Sequence, residues 1–265
     1  MNCLQHVALP IYSSSGFVSF GRSTRLVVPH ESWRDYRPRP KDQRKPLRTS
    51  MMSTTPKGGD IFIVGIAGPS GSGKSTIAKR VAFRLGGHVI SMESYAVEMN
   101  HLPLEERAKL DYDAPAATDV DLLERDIRSY ASGHSIEAPI YDFARHVRVT
   151  GQREHISANA LLIVEGILAL HFAELRPYFD LSIYLDASDA VCFHRRKVRD
   201  ITERQRSSDF VLWQYENAVL PAARKYLLPS KRYADLVLES NADLSTVEKS
   251  LYDIIVEKRV LAALR

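Results

Sequence analysis

IFIVGIAGPSGSGKST, residues 61–76, joins an apolar run to a glycine-rich loop. Residues 61–67 are apolar throughout, which is typical of a parallel strand that is buried on both faces. Residues 68–75 fit the pattern G-x-x-x-x-G-K-[S/T], and apolar residues recur at helical spacing from Ile77 to Leu85. A chance Gly/Ser turn would lack this strand and this helix, so their order predicts a phosphate-binding loop.

The residues of this loop are suited to hold the phosphates of a Mg²⁺-bound nucleoside triphosphate. Glycines let the backbone turn so that successive N–H groups point at phosphate oxygens, and the helix that follows adds the positive end of its dipole. Lys74 is expected to face solvent until it reaches the β- and γ-phosphates, and the Ser75 hydroxyl is expected to bind Mg²⁺. The predicted phosphate site comprises Gly68, Pro69, Ser70, Gly71, Ser72, Gly73, Lys74, Ser75 and Thr76.

Strand and helix patterns alternate through the rest of the chain. Gly86-Gly87 ends the first helix, and Val89-Ile90 begins a second strand. Thr118-x-x-Asp121 predicts a capping box at the start of another helix, and residues 136–149 predict a β ribbon beside the sheet. Further apolar runs predict buried strands over residues 161–164, 181–185 and 236–238. This alternation predicts a parallel sheet with right-handed crossovers.

The first 57 residues differ in composition from the rest. Residues 1–50 contain nine Lys and Arg against three acids, so they carry +6 and leave −2 for the remainder. Ser, Arg and Pro without an apolar face predict a disordered basic leader over residues 1–57, followed by a P-loop domain over residues 58–265. Two interpretations of the leader stay open: an extension without function, with Met51 or Met52 as the true start, or an organellar transit peptide.

The overall composition bounds the class of protein. The chain has 265 residues, of which 45% are hydrophobic and 26% charged, as in soluble globular proteins. No stretch approaches the roughly 18 apolar residues of a membrane span, and the near-neutral body lacks a nucleic-acid footprint. Cys3 and Cys192 cannot form a disulfide framework, and Cys192 lies in an apolar-rich run that predicts burial. We therefore expect a cytoplasmic protein that binds neither membrane nor nucleic acid, with organellar import as the alternative.

Two acids follow predicted strands directly. Glu93 comes just after the second strand, and Glu165 comes just after residues 161–164. Carboxyl ends of parallel strands meet at the edge where ligands bind. One acid is expected to activate an acceptor hydroxyl and the other to hold Mg²⁺. The alternative is that both are ordinary loop acids.

Five arginines are concentrated between residues 195 and 206. Asp200 and Glu203 interrupt the run, which argues against a nucleic-acid patch. The run predicts either a solvated charged helix or a lid that closes over the phosphates and stabilises the transition state. The arginines are Arg195, Arg196, Arg199, Arg204 and Arg206.

Together, these patterns predict an α/β fold: a P-loop NTPase-type parallel sheet flanked by helices, with a small β insert and an arginine-rich lid.

Residues 61–240 resemble the uridine kinase, or uridine–cytidine kinase, family of the phosphoribulokinase/uridine kinase group. The resemblance extends over about 180 residues and is far more specific than the phosphate loop alone. It rests on the loop and, in order, on Ser91-Met-Glu-Ser-Tyr95, His101-Leu-Pro-Leu-Glu-Glu-Arg107, Asp111-Tyr-Asp113-Ala-Pro115, Ala138-Pro-Ile-Tyr141-Asp-Phe143 with His146, Val164-Glu165-Gly166-Ile167-Leu168, Arg199-Asp-Ile-Thr-Glu-Arg204-Gln-Arg206, Gln214-Tyr215 and Leu228-Pro-Ser-Lys-Arg-Tyr-Ala-Asp235.

The resemblance implies a role for each matching residue. Glu93 and Lys74 are the implied catalytic residues, and Ser75 and Glu165 the implied Mg²⁺ ligands. The implied nucleotide-binding residues outside the loop are Arg199, Arg204 and Arg206. The implied acceptor site comprises Tyr112, Asp113, Tyr141, Phe143, His146, Arg196 and Gln214. Without the resemblance, Tyr141 and Phe143 would be interpreted as ordinary packing residues. The resemblance also implies a homo-oligomer.

Three residues depart from the pattern of the family. Glu93 stands where the family normally has aspartate, which moves the carboxylate oxygens by about 1 Å. Ala96 stands where the family usually has tyrosine, which removes an aromatic wall beside the acceptor. Gln205 replaces the usual glycine of the lid and is expected to stiffen a hinge. The first two departures bear on the identity of the acceptor more than on kinase activity.

The function that this sequence predicts is that of a nucleoside kinase of the nucleotide salvage type. It would transfer the γ-phosphate of ATP or GTP, bound with Mg²⁺, to the 5′-hydroxyl of uridine or cytidine. One alternative is a P-loop kinase for another small hydroxyl substrate, such as a different nucleoside or a sugar phosphate. The other is a nucleotide-binding regulatory protein with weak hydrolysis.

Overall fold

The computed structural model describes residues 61–99, 101, 103, 107, 110–241 and 243–263. The predicted leader, residues 1–57, lies outside them. The described strands are β1 Phe62–Ala67, β2 His88–Ser91, β3 Ile136–Asp142, β4 Val147–Ile156, β5 Leu161–Glu165, β6 Leu181–Asp186 and β7 Leu236–Glu239.

Five of these strands form a parallel sheet in the order β2-β5-β1-β6-β7, and β3 and β4 form a separate antiparallel ribbon. The predicted α/β fold with a β insert is confirmed. β1 lies at the centre, and all six of its residues are buried because helices cover both faces of the sheet. The register pairs Glu165 with both Ile66 and Ser91 at the carboxyl edge.

The longer helices cover the sheet and close the site. They are α1 Lys74–Leu85, α2 Val120–Ala131, α3 Asp189–Thr202, α4 Ser208–Gln214 and α5 Leu244–Ala263. After α4, π-helical turns at Tyr215–Val219 and Ala223–Leu227 alternate with short α-helical turns at Leu220–Ala222 and Leu228–Ser230. Single 3₁₀ turns lie at Met92–Tyr95, Pro115–Ala117, Arg176–Tyr178 and Lys231–Tyr233. Over the described residues, every helix is too short or too polar to traverse a bilayer.

Two hydrophobic cores lie on opposite faces of the sheet. One core joins alternate residues of β1, including Val64, to Val81 of α1 and Leu251 of α5. The other joins the remaining residues of β1, such as Ile63, to Ile127 of α2 and to the ribbon. The alternation of neighbouring β1 residues between the two cores fixes the orientation of the strand. The loop that follows β1 is therefore held at the carboxyl edge of the sheet.

The sequence predicted where three elements begin or end, and the structure gives the observed positions. Gly86 caps α1 in the left-handed region with φ of 63°, as predicted. The predicted cap of α2 was wrong: Asp119, not Thr118, is the N-cap, and its carboxylate accepts a hydrogen bond from the Leu122 N–H at 3.2 Å. The ribbon extends to Ile156, beyond its predicted end.

Candidate active site

At two positions of the phosphate loop, the backbone conformation and the close packing allow only glycine. Gly71 and Gly73 have φ of 91° and 95°, in the left-handed region that favours glycine. A Cβ atom at Gly71 would overlap the carbonyl oxygen of Cys192, and one at Gly73 would lie 2.7 Å from Cδ2 of Leu244. The loop is thus packed against α3 and the start of α5 in one conformation. Cys192 itself is buried, as predicted, and burial raises the pKa of its thiol to about 12.

Gly71→Ala is expected to weaken triphosphate binding by at least about tenfold, because its methyl group must displace either the loop or α3. Isothermal titration with a non-hydrolysable triphosphate measures this effect. Gly86→Ala is the matched control, since Gly86 also has positive φ but a Cβ atom there would meet nothing within 4 Å. The control should lose about 1 kcal/mol of stability and keep its triphosphate affinity. Equal affinities in both variants would contradict the packing role of Gly71.

Lys74 does not face solvent, so that expectation was wrong. The residue is only 4% exposed, and its ammonium group donates a hydrogen bond to the Pro69 carbonyl oxygen at 3.3 Å. The loop curls around its own lysine because the carbonyl gives the buried charge a partner. The ammonium group is thereby held inside the loop, where phosphate oxygens would bind.

Glu165 lies at the end of β5 and is 1% exposed. Burial and the charge of Glu93 raise the pKa of its carboxyl, while Lys74 and hydrogen bonds from Ser75 and Ser91 lower it. Its Oε2 atom is buried without a hydrogen-bond partner among the described residues. A buried carboxylate oxygen with no partner, beside the Ser75 hydroxyl, is an oxygen-only donor set of the kind that Mg²⁺ binds.

These two residues do not form a complete metal cage by themselves. Within the described ranges, no group of three or more His, Cys, Asp or Glu side chains is arranged to hold a metal ion. Mg²⁺ is usually bound by one or two protein ligands together with phosphate oxygens and water.

An open cleft of about 850 Å³, including its mouth, lies next to the phosphate loop. Ser70 of the loop and Ala96 are among its lining residues. The structure brings together in this cleft the residues that the sequence analysis assigned to the base, the acceptor and the lid, namely Glu93, Tyr112, Asp113, Tyr141, Phe143, His146, Arg196, Arg199, Arg204, Arg206 and Gln214. Lys74, Ser75 and Glu165 are not among the lining residues: Lys74 and Ser75 lie at the start of α1, and Glu165 lies at the sheet edge.

Aromatic side chains form one wall of the cleft. The rings of Tyr112 and His146 are stacked with centroids 5.2 Å apart, and Tyr141 meets Phe143 edge to face at 5.1 Å. The guanidinium group of Arg204 lies 4.4 Å from the centroid of Phe143, within cation–π distance. The ribbon with its turn supplies Tyr141, Phe143 and His146 to this wall, and the segment before α2 supplies Tyr112.

His146 is held in an unusual and uncharged state. Its φ of 53° is uncommon for a residue other than glycine. Burial and the nearby charges of Arg206 and Arg204 lower the pKa of its ring to about 4. Arg206 lies 2.8 Å from its Nε2 atom, and a guanidinium group can only donate, so Nε2 accepts and Nδ1 carries the proton.

Two acids line the same cleft as the arginines. Glu93 is half-buried in the 3₁₀ turn after β2 and accepts a hydrogen bond from the Ser91 hydroxyl at 3.2 Å. Burial raises the pKa of Asp113, and the charges of Asp111 and Glu93 add to this effect, while Arg196 opposes it. A carboxylate and a cluster of cations thus share one space, as an in-line phosphoryl transfer requires.

Asp200, which in the sequence only interrupts the arginine run, lies at the centre of these arginines in the structure. This residue is fully buried, and its carboxylate forms ion pairs with Arg196, Arg199, Arg204 and Arg206 at 3.6, 2.7, 3.4 and 3.0 Å. Burial alone would raise the pKa of its carboxyl, but the charges of Arg199, Arg196 and Arg204 more than offset this. The arginine run is therefore neither a solvated helix face nor a set of independent charges.

Gln214 connects the arginines to both ends of the site. Its side-chain oxygen accepts hydrogen bonds from Arg196 at 2.7 Å and from Arg206 at 3.2 Å. Arg196 also donates to the Ser70 hydroxyl at 2.8 Å, while Arg206 lies against His146. A continuous chain of hydrogen bonds thus runs from the phosphate loop to the aromatic wall.

Known proteins are similar to this chain over most of the residues that the structure describes. The model of the phosphoribulokinase / uridine kinase family matches residues 63–247. A uridine kinase of Clostridium tetani (strain Massachusetts / E88) is 41% identical over 198 residues, which are 74% of this chain and 92% of the relative. A uridine kinase of Lactobacillus helveticus (strain DPC 4571) is 38% identical over 185 residues, 68% of this chain and 87% of the relative.

A solved structure shares the fold at lower sequence identity. It is a protein of Silicibacter sp. TM1040 assigned as a fructose transport system kinase, with a TM-score of 0.57 and 24% identity. The match covers 69% of this chain and 92% of that one. At this identity the likeness concerns the fold alone.

Proposed function

Since the chain belongs to the phosphoribulokinase/uridine kinase family, we propose that it transfers the γ-phosphate of ATP or GTP to the 5′-hydroxyl of uridine or cytidine. One observation carries the proposal: Glu93 and Asp113 line the same cleft as four arginines, and Ser70 of the phosphate loop borders that cleft. The relatives named uridine kinase support the choice of acceptor.

Glu93 is the proposed general base. Its carboxylate lies half-buried at the carboxyl end of β2, beside the cleft and the phosphate loop. The proton of the 5′-hydroxyl moves to a Glu93 oxygen as the hydroxyl oxygen bonds to the γ-phosphorus. The bond from that phosphorus to the β–γ bridging oxygen breaks, and the nucleoside diphosphate leaves in line.

Cationic side chains stabilise the charge that spreads over the transferring group. Lys74 exchanges the Pro69 carbonyl oxygen for phosphate oxygens, and the lid arginines, which line the adjacent cleft, add further positive charge. Mg²⁺, held by the Ser75 hydroxyl and Glu165, would add positive charge at the phosphates when bound. The oxygen atom of Glu165 that has no partner supports this assignment.

The nucleoside is proposed to bind along the aromatic wall. Asp113 accepts hydrogen bonds from the ribose hydroxyls, with Arg196 beside it. Tyr141 and the neutral ring of His146 contact the pyrimidine edge, while Tyr112 and Phe143 pack against the base or sugar. An uncharged His146 suits an uncharged base, because no buried charge is left without a counter-ion.

Phosphoryl transfer by the full-length protein tests the proposal. Uridine, cytidine, adenosine and a sugar phosphate are each offered with labelled ATP or GTP and Mg²⁺, and each is also tested for thermal stabilisation in the presence of a non-hydrolysable triphosphate. We expect label on uridine and cytidine and stabilisation by the same two compounds. Label on adenosine or the sugar phosphate alone would identify another kinase, and hydrolysis with every acceptor left unlabelled would identify a regulatory protein.

Ala96→Tyr is expected to tighten uridine binding by about 5- to 150-fold, since a stacked aromatic ring contributes about 1–3 kcal/mol per base. Ala96 lines the cleft, so the new ring is expected to enter it. Isothermal titration of uridine measures the change.

Ala116→Tyr is the control for adding a ring, because Ala116 is exposed in the neighbouring 3₁₀ turn and does not line the cleft. Its uridine affinity should equal that of the wild type. If Ala96→Tyr weakens uridine binding instead, the space beside Ala96 is needed by the acceptor, and a larger substrate becomes the better proposal.

A further inference from the structure

The arginine cluster contains more positive charge than its own acid balances. Four guanidinium groups lie within 3.6 Å of the single carboxylate of Asp200. Like charges that are partly withdrawn from water repel one another. An anion is therefore needed to gather these arginines at the cleft, and Asp200 is that anion when the phosphates are absent.

Burial, together with the charges of neighbouring arginines, lowers the pKa values of two members of the cluster. Burial lowers the pKa of Arg204 to about 10, and the charge of Arg199 acts in the same direction. Burial also lowers the pKa of Arg206, assisted by Arg196 and Arg199. In both residues the charge of Asp200 opposes the shift, and in Arg204 the charge of Glu93 does so as well. The arginines thus share a deficit of negative charge that a polyphosphate would fill.

The main chain contributes to the same arrangement. The N–H of Arg206 donates a hydrogen bond to the carbonyl oxygen of Asp200 at 3.0 Å. Gln205 has φ of 55°, so the chain reverses after α3 and returns Arg206 to the carboxylate. The main-chain carbonyl of Asp200 therefore holds the turn after α3, and its carboxylate accepts a hydrogen bond from the side chain of Arg206.

We propose that Asp200 is the positioning residue of the phosphate-binding arginines, standing in for phosphate oxygens until the triphosphate binds. Its carboxylate holds Arg196 and Arg206 where they reach Ser70 and His146, so both halves of the site are arranged in advance. This inference rests on the part of the proposed function that says the protein transfers a phosphoryl group. It is independent of which hydroxyl compound accepts the phosphate.

Asp200→Asn tests the proposal, because it removes the charge and nearly preserves the shape. The expected kcat per folded molecule is about 10- to 100-fold lower, since a displacement of about 1 Å at a reacting centre can cost about 10²-fold. Inorganic tripolyphosphate should raise the melting temperature of the variant by at least about 4 °C more than that of the wild type. The added anion replaces the missing counter-charge, an effect that a merely structural aspartate would not produce.

Glu203→Gln is the matched control, because Glu203 is an exposed acid of the same arginine-rich stretch. It should keep the kcat of the wild type and its stabilisation by tripolyphosphate. Wild-type kcat in Asp200→Asn, or equal stabilisation by tripolyphosphate in both proteins, would overturn the proposal. If the variant is unfolded at assay temperature, the proposal requires tripolyphosphate to restore a cooperative melting transition, and a chain that stays unfolded contradicts it.

The stability measurement separates this proposal from the proposed function. It uses tripolyphosphate alone and needs no nucleoside. A wild-type protein that fails to phosphorylate uridine or cytidine, while Asp200→Asn shows the larger stabilisation, would remove the nucleoside kinase proposal and keep the role of Asp200.

Discussion

Lys74→Ala is expected to lower kcat by at least about 10²–10³-fold, as the loss of one preorganised donor to transition-state charge does in other enzymes. The ammonium group of Lys74 lies inside the phosphate loop, 3.3 Å from the Pro69 carbonyl oxygen. It therefore needs only a short movement to reach the phosphates. Steady-state transfer to the acceptor identified above measures the loss.

The fold is expected to survive this substitution. Lys74 is the first residue of α1, where alanine is a strong helix former, and the buried ammonium group is itself costly to hold away from water. Lys79→Ala is the control, since Lys79 is exposed on the same helix, and it should leave kcat unchanged. Near-normal turnover in a folded Lys74→Ala variant would refute the assignment of the phosphate site.

The phosphate loop and the sheet could be predicted because their signals are local. An apolar strand, glycines at Gly71 and Gly73 and a lysine follow one another without interruption, and each part restricts the conformation of the next. The structure confirms the sheet and gives both glycines positive φ. By contrast, the burial of Lys74 depends on how the loop curls around it, which no local pattern specifies.

Asp200 shows why a local pattern can mislead. In the sequence it is one acid among arginines, and such an acid normally lies on a solvated face. Its burial depends on α3 packing beside α4 and on the turn at Gln205, which returns Arg206 to its carboxylate. One signal was available: Arg196, Asp200 and Arg204 follow one another at intervals of four residues, the spacing at which opposite charges meet on a helix.

The structure shows what the replacement of the usual lid glycine by Gln205 means for the backbone. The sequence suggested a stiffer hinge where the family has glycine. The structure gives Gln205 a left-handed conformation, which costs a residue with a Cβ atom about 1–2 kcal/mol. The ion pairs of Asp200 with the neighbouring arginines are the contacts that can offset this cost. The effect on lid motion stays a prediction.

Glu93→Gln is expected to slow the chemical step by about 10²–10⁴-fold, the usual contribution of a general base. The amide keeps the size of the side chain but cannot take the proton of the attacking hydroxyl. Triphosphate affinity should be retained, because Lys74, Ser75 and Glu165 remain in place. Single-turnover transfer separates the chemical step from binding. Glu98→Gln, at an exposed position in the following loop, is the control and should transfer at the wild-type rate.

Glu93→Asp distinguishes a base from a merely charged residue. Aspartate keeps the carboxylate but shortens its reach by one methylene group, so a displaced base should retain more activity than glutamine and less than glutamate. If Glu93 only balances the charge of the lid arginines, aspartate should restore full activity, since the charge of the side chain is the same. Transfer at the wild-type rate by Glu93→Gln would exclude both roles. The proton would then leave the hydroxyl by way of solvent, or be taken by another acid that lines the cleft, of which Asp113 is the first to test.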